Sequence, residues 1–494
     1  MAGFGTAGTF TKQIRSMNPK STRLLLLLAL GLVVGSSHRP AHLPQATPPN
    51  IIFILTDDQG WTSLSSPMDT GVPESASDYY ETPNIDRLAR AGMRFTRGYA
   101  PAAICSPTRR SIQFGQTPIR QGDEEFPARY RPGGQAPRSI PQVLKAIDPR
   151  YRAAHLGKWD FRAELVPEQV GYDLSDGDTR NGNGNLVQVK GDKWDEHYLT
   201  EDPKKINTLT ERAIAFMQKQ TSAQVPFYLQ LSHYATHVNM ETKQATLDHF
   251  SKKKAGKRHS NPAWAGMLFD LDTGIGEILD EVEKLGIADH TYIFLMADNG
   301  AVEFLPPVKN RLDHPSKFKE PMRNYPLRGG KWVLYEGGIR VPFMVMGPGI
   351  KAGSQCEVPV IGWDLLPTFA ELAGGTPMPE KGRDGGSFVA LLKNAGQGPV
   401  NRPVQDFYFH RYNAGYPHSA IISGNDKLVH FWKTGKTELY DLENDKGELV
   451  DLSTRNPAKA KALDARLLNY IKQHNPGLLT AYTKKSQPKE KPED

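Results

Sequence analysis

The stretch NIIFILTDDQG, Asn50 to Gly60, constrains the fold more than any other part of this chain. Ile51 to Leu55 is a continuous apolar run with no alternation of apolar and polar residues. A strand with one wet face alternates; a strand without that relief is covered on both faces, as in a parallel sheet between helix layers. The run ends abruptly in Thr56-Asp57-Asp58. The same logic returns far downstream in TYIFLMADNG, where Tyr292 to Met296 leads into Asp298-Asn299-Gly300. In open α/β sheets ligands gather at the carboxyl ends of strands. Two such strands therefore bring acidic and amide oxygens from distant parts of the chain to one place.

Between these runs, helices and further strands alternate. TPNIDRLARAG places Thr82 as a cap, Pro83 in the first turn and Gly92 as a stop. Asn207 to Lys219 and Met267 to Leu285 carry apolar residues at helical spacing. PFYLQLSHYATH reads as another buried strand, Phe227 to Leu231, opening into a loop with His233 and His237. Strands alternating with helices predict an α/β fold with a large mixed, mainly parallel sheet flanked by helices. From about Gly375 the texture changes to short alternating segments (QDFYFHRY, KLVHFW, TELYDLEND), which predict a smaller antiparallel sheet. An amphipathic helix near Ala458 to His474 completes that unit, and KKSQPKEKPED reads as a disordered tail. The expected division is 1–37 leader, 38–49 Pro-rich linker, 50–375 catalytic domain, 376–478 C-terminal subdomain and 479–494 tail.

The leader is read from Arg15, Lys20 and Arg23, the short apolar run 24–34, and Gly35-Ser36-Ser37. A basic start, an apolar core and small residues form a secretory signal, which predicts an exported protein, periplasmic or secreted. The run is too short to span a bilayer, which takes about 20 residues. A net charge of +7 over 494 residues is a mild basic excess that suits an anionic ligand. No zinc finger, RNA-binding aromatic signature or basic zipper is present, which argues against nucleic acid. Only two cysteines occur, Cys105 and Cys356, so a bridge between them is the ordinary alternative for each.

Asp57, Asp58, Asp298 and Asn299 offer only hard oxygens, a set for calcium or magnesium and not for zinc. One acidic pair after a strand is ordinarily a turn or helix cap; two such strand exits, each followed by glycine, favour a metal. Cys105-Ser106-Pro107-Thr108-Arg109 fits the pattern C-x-P-x-R, and LTDDQG, TPNIDRLARAGMRFTRGYA, HLGKW, MADNG, LRGGKWVLYEGGIRVPFMVMGPG, GWDLLPTFAELAG and ELYDLENDKGE accompany it in order. This ordered set resembles the formylglycine-dependent (type I) sulfatases of the alkaline-phosphatase-like superfamily, over roughly Asn50 to Asn475.

The resemblance implies that Cys105 is oxidised to formylglycine by a maturation enzyme and so does not pair with Cys356. A hydrated aldehyde offers two hydroxyls. One attacks sulfur, and the other loses its proton and collapses to the carbonyl, expelling sulfate; a serine would instead be left as a stable sulfate ester. Ser106-Pro107 resembles a helix start, whose positive dipole end would face the anion. By the same resemblance, Asp57, Asp58, Asp298 and Asn299 hold Ca2+, ahead of Mg2+, with the modified Cys105 completing the shell. Arg109 orients the formylglycine, Lys158 and Lys331 grip sulfate oxygens, and His237 protonates or hydrogen-bonds the departing alcohol.

Two departures stand out. The family commonly reads Gly-Lys-Trp-His, and here Asp160 follows Trp159, which leaves Asp160 as a candidate acceptor in the place of a histidine. After the signature, Phe114-Gly115-Gln116 replaces a Thr-Gly-Arg-like element. Substrate contacts are expected from the variable loops. Residues 301–328 carry Lys309, Arg311, Lys317, Lys319 and Arg323, residues 251–259 are basic, and residues 178–198 supply Asn, Trp and His. Three functions follow from these readings. The first is a sulfatase acting on a sulfated carbohydrate. The others are a phosphodiesterase or phosphonate monoester hydrolase of the same superfamily, and a non-catalytic binder of sulfated glycans.

Overall fold

A computed structural model describes residues 47–122, 137–162, 165–184, 197–303, 323–376, 381–411 and 416–481. The leader, most of the linker, residues 185–196 and 304–322 of the variable loops, and the tail from 482 onward lie outside these. The unalternating strands take the positions their composition requires. In chain order the main sheet comprises β1 (Asn50–Thr56), β2 (Met93–Phe95), β3 (Arg152–Gly157), β4 (Leu174–Ser175), β5 (Phe227–Ser232), β6 (Thr291–Ala297), β7 (Phe343–Met346) and β8 (Ser354–Cys356). In space they run β8-β2-β7-β6-β1-β5-β3-β4, and only β7 opposes the rest. The sheet is mixed and mainly parallel.

The period of two sends alternate residues of β1 to opposite faces. Ile51, Phe53 and Leu55 join Tyr228, Phe294 and Met296 beneath α2 (Cys105–Phe114) and α5 (Leu365–Leu372). Ile52 and Ile54 join Leu229, Leu231, Ile293 and Leu295 beneath α1 (Pro83–Ala91), α3 (Ile206–Ser222) and α4 (Pro262–Lys284). Each such side chain, fully buried, contributes roughly 1.5–3 kcal/mol; the buried polar exceptions are hydrogen-bonded, Gln230 accepting from the Tyr172 (2.7 Å) and Tyr228 (2.9 Å) hydroxyls.

Of the expected ends of α1, the stop at Gly92 holds and the cap needs correction. Thr82 makes no capping hydrogen bond to it. Asp272, reaching across from α4, instead accepts from the backbone N–H of Asn84 (3.0 Å) and Ile85 (2.7 Å). Gly92 ends the helix in extended, not left-handed, backbone, and is needed for close approach: a Cβ there would lie 2.2 Å from the Val345 carbonyl oxygen. Nor do the cysteines pair. Both are buried and free, Cys105 beside Asp57 and Cys356 beside the Gly396 carbonyl.

The C-terminal segments form an antiparallel meander of β9 (Phe407–Arg411), β10 (His418–Ser423), β11 (Asp426–Phe431) and β12 (Lys436–Asp441). Tyr408, Ile421, Leu428 and Leu439 pack under α6 (Pro457–His474). The opposite face, with Phe407, Phe409, Ala420 and Ile422, packs on Leu334, Tyr335, Ile339 and Trp363. Lys427 Nζ reinforces the junction, 3.0 Å from Glu336 Oε1 and 2.8 Å from Glu448 Oε1 with no exposure. The small sheet thus anchors the segment that follows Lys331. A short helix, Gly477–Ala481, carries regular structure past residue 478, where the tail was expected to begin.

Candidate functional site

Four adjacent parallel strands deliver their C-terminal ends to one place. β6 leads to Asp298 and Asn299, β1 to Asp57 and Asp58, β5 to the loop with His237, and β3 to Lys158. Backbone hydrogen bonds stitch these exits together. Asp298 N–H donates to the Thr56 carbonyl (3.0 Å), Asp57 N–H to the Ala235 carbonyl (2.9 Å) and Lys158 N–H to the Ser232 carbonyl (2.8 Å). Glycine is required at two of the turns. At Gly157, φ is +93° and a Cβ would lie 2.0 Å from the Ser232 oxygen; at Gly300 it would lie 1.8 Å from the Gly337 oxygen. Asp58 itself sits at φ 58°, a left-handed backbone that a non-glycine residue adopts at a cost, as active-site residues often do.

From the other side comes α2, whose first helical residue is Cys105, one position earlier than Ser106-Pro107 implied, with Ile104 preceding it as an extended residue. The backbone N–H groups and positive dipole end of this ten-residue helix therefore open beside the acidic cluster. Arg109, one turn along, donates from Nε and Nη2 to Asp298 Oδ2 (3.0 and 2.6 Å) and from Nη1 to the Lys158 carbonyl (2.7 Å). Arg110, its neighbour, points away to the Phe161 carbonyl (2.9 Å). Lys158 Nζ lies 2.6 Å from Asp57 Oδ2, and Lys331 Nζ lies 2.8 Å from Asp58 Oδ2. Every carboxylate of the cluster thus has its own cation.

The sequence-expected residues meet here. Ligand atoms of Asp57, Asp58, Cys105 and Asp298 lie within 4.8 Å of one another, all buried. Asn299 turns its amide nitrogen to Asp58 Oδ1 (2.7 Å), while its Oδ1 is buried without a hydrogen-bond partner. An orphaned amide oxygen costs stability unless something occupies it. Burial pushes Asp58 up despite Lys331, with Asp57 adding to the rise, and burial with Asp57 pushes Asp298 up to about 7 despite Arg109. Burial would also raise Asp57, but Lys158, with His237, Arg109 and Lys331, holds it well below the usual range. The oxygens are hard and converge on one point beside the orphaned Asn299 Oδ1, so the residues fit a divalent cation.

Burial opposes the charges on Lys158 and Lys331, yet Asp57 and Asp58 respectively keep both ammonium groups above lysine's ordinary range. Burial, then Asp298 and Asp57, pushes the Cys105 thiol well up. A thiol held protonated is a poor nucleophile, so this environment does not serve an unmodified cysteine. His237 Nδ1 meets the Val238 carbonyl (2.7 Å), and Nε2 faces Asp58 Oδ2 at 3.9 Å. Burial, then Lys331, keeps its ring neutral, well below histidine's ordinary value. His233, the other histidine of that loop, is fully buried, and neither of its ring nitrogens hydrogen-bonds among the described residues. His237 is the histidine of the site.

Asp160 lies 3.6 Å from Lys158 Nζ through Oδ2 and 3.5 Å from Arg162 Nε through Oδ1. It is buried, at φ 50°. The second departure has a local role: Gly115, at φ 64°, closes α2, and Gln116 Nε2 donates to the Gly382 carbonyl (2.7 Å). The basic run 251–259 is tied into the fold. Arg258 donates to the carbonyls of Glu74, Ala76 and Tyr325, and Lys253 pairs with Glu81. Sequence reasoning missed Lys204 and Glu241, a buried pair (3.7 Å). Lys204 sits within the electrostatic reach of Asp57, and burial pushes it down to about 8. No motif or spacing marks either residue.

Comparison with known proteins agrees with this geometry. Residues 49–375 match the family profile described as sulfatase, and residues 330–475 match the one described as N-sulphoglucosamine sulphohydrolase, C-terminal. The chain is 30% identical to N-acetylgalactosamine-6-sulfatase of Rattus norvegicus, over 84% of this chain and 76% of that protein. It is 28% identical to arylsulfatase A of Homo sapiens, over 87% and 86%. The solved structure of Ps i-CgsB superposes with a TM-score of 0.68 at 25% identity, covering 86% of this chain and 93% of that one.

Proposed function

The chain belongs to the sulfatase family and is a sulfuric ester hydrolase; from that premise we propose that it desulfates a carbohydrate, using Cys105 converted to formylglycine. One observation carries the reading. Cys105 opens a helix into a buried ring of carboxylates and lysines, where burial and the neighbouring carboxylates disfavour a thiolate. The carbohydrate substrate rests on the company this chain keeps: the rat relative is named for a sulfated amino sugar, and Ps i-CgsB has been solved with k-i-k-neocarrahexaose.

Asp57, Asp58, Asp298, Asn299 and the modified Cys105 would hold Ca2+, whose charge would polarise a bound sulfate oxygen. The aldehyde hydrate made from Cys105 would supply a nucleophile that releases sulfate by collapse instead of by a second hydrolysis. This chain's own residues do the rest. Arg109, fixed by Asp298 and the Lys158 carbonyl, holds position 105 in register. Lys158 and Lys331 are preorganised, water-poor cations for the charge that develops on sulfate, the arrangement in which electrostatic stabilisation is largest. Burial and then Lys331 keep His237 neutral; an incoming sulfate offsets the Lys331 part, which favours a proton on Nε2, where it can be handed to the leaving oxygen. Asp160 keeps Lys158 between two carboxylates and is a candidate acceptor at position 105.

No described helix is long and apolar enough to cross a membrane. We place the mature protein outside the cytoplasm, with residues 1–37 removed and a maturation enzyme acting on Cys105. The test is release of sulfate and phosphate from matched esters, then from sulfated oligosaccharides, by wild-type and Cys105→Ala protein. Sulfate release that prefers glycans and vanishes in the variant supports the reading. Faster phosphate release, or activity that survives Cys105→Ala, contradicts it.

A further inference from the structure

We infer that the C-terminal sheet carries a second, non-catalytic subsite, a cleft of about 240 Å³ that takes one ring of an anionic glycan while another part of the same oligosaccharide presents its sulfate to the site. Its walls are Tyr416, Pro417 and Phe431, with the Tyr416 and Phe431 ring centroids 5.4 Å apart. Its polar groups are Lys433, Thr434, Lys436 and Glu438. Lys436 Nζ lies 2.8 Å from Glu438 Oε1, so the glutamate is already matched, and exposed Lys433 adds positive charge with no acidic partner among the described residues.

This chemistry selects its occupant. A pyranose has a face rich in C–H bonds, which packs by dispersion and hydrophobic contact on aromatic walls. Its rim carries hydroxyl and sulfate oxygens, which the lysines attract. The volume falls below the roughly 300–1,000 Å³ of sites that enclose a drug-sized ligand, so a single ring fits and a longer segment does not. The cleft is also tied to the reaction centre. Leu334 N–H donates to His418 Nε2 (3.0 Å), and the His418 ring lies 5.0 Å from Tyr416 and 6.0 Å from Phe431. Leu334 is three residues beyond Lys331, at most about 10 Å along an extended chain. An oligosaccharide of several rings is what would reach both.

The inference rests on the carbohydrate reading above, and the experiment separates the two. Oligosaccharides of carrageenan, chondroitin sulfate and heparin serve as probes beside 4-nitrophenyl sulfate, with Tyr416→Ala and the exposed-site double variant Lys433→Ala/Lys436→Ala. For the preferred oligosaccharide, KM should rise roughly tenfold in each variant, the loss of about one aromatic or ionic contact. Its kcat and the turnover of 4-nitrophenyl sulfate should stay at wild-type values in both, and the melting temperature should stay there in the lysine double variant, while Tyr416→Ala, which loses contacts with His418 and Phe431, should melt lower. Oligosaccharide turnover with unchanged KM in both variants overturns the subsite and leaves the carbohydrate reading standing. Wild-type protein that turns over 4-nitrophenyl sulfate but none of the glycans overturns both.

Discussion

Asp160 brings a negative charge next to an anionic substrate, and the structure answers that charge with Lys158 and Arg162 on either side. If the carboxylate serves as an acceptor and shares Lys158 with Asp57, Asp160→Asn should lower kcat by at least about tenfold, the low end of proton-transfer effects, with KM little changed. Asp160→His, which restores an acceptor there, should recover part of that loss; steady-state kinetics decide. His237 makes a sharper prediction. His237→Ala should cost roughly 10²–10⁴ in kcat for an alkyl or sugar sulfate, whose leaving oxygen needs a proton. It should cost far less for 4-nitrophenyl sulfate, whose leaving group needs little help. Equal losses on both would remove His237 from that role. At this scale the sequence was legible only through motifs. Arg109 and Arg110 are indistinguishable as letters, and only the helix phase sends one to Asp298 and the other to the Phe161 carbonyl.

Elements were readable wherever their own periodicity decides them. β1, β5 and β6 lie within a residue of the predicted limits because a run without alternation fits only a strand covered on both faces. Helix ends were not readable when the partner is tertiary. α1 takes its cap from Asp272 on α4, which no local pattern shows; α4, by contrast, begins earlier than its apolar pattern at a local cap, the Asn261 side chain accepting from Trp264 N–H (3.0 Å). The Asp272 cap has a pH signature. Burial pushes its carboxyl up to about 7 despite the N–H groups of Ile85 and Asn84. Below about pH 4 it is protonated folded or unfolded, and it costs nothing. Between there and pH 7 the unfolded chain ionises first, so stability falls as pH rises and levels off above 7. Asp272→Asn lacks this component. Urea midpoints should therefore shift in the variant's favour between pH 5 and pH 8; a constant difference would show that the carboxyl titrates normally.

Across the whole molecule, the site is a product of topology. Asp57 and Asp298 are distant in sequence, yet β1 and β6 pair in register from Asn50 with Thr291 to Thr56 with Ala297, which fixes their exits side by side. Lys331 is added from a segment held by the small sheet through Leu334, Tyr335 and the Glu336–Lys427 pair. No local pattern shows that dependence. A cation that binds the folded cluster and not the unfolded chain must stabilise the fold by mass action. With Cys105→Ala protein, which still carries Asp57, Asp58, Asp298 and Asn299, millimolar Ca2+ should raise Tm above the value in chelator, and Mg2+ should do so less. No shift with either ion would contradict the metal assignment without reference to activity. The account as a whole turns on one side chain. Mass spectrometry of the tryptic peptide from Gly98 to Arg109, taken from protein that is releasing sulfate, measures it directly. The prediction is formylglycine or its hydrate at position 105; an unmodified cysteine in that active protein would contradict it.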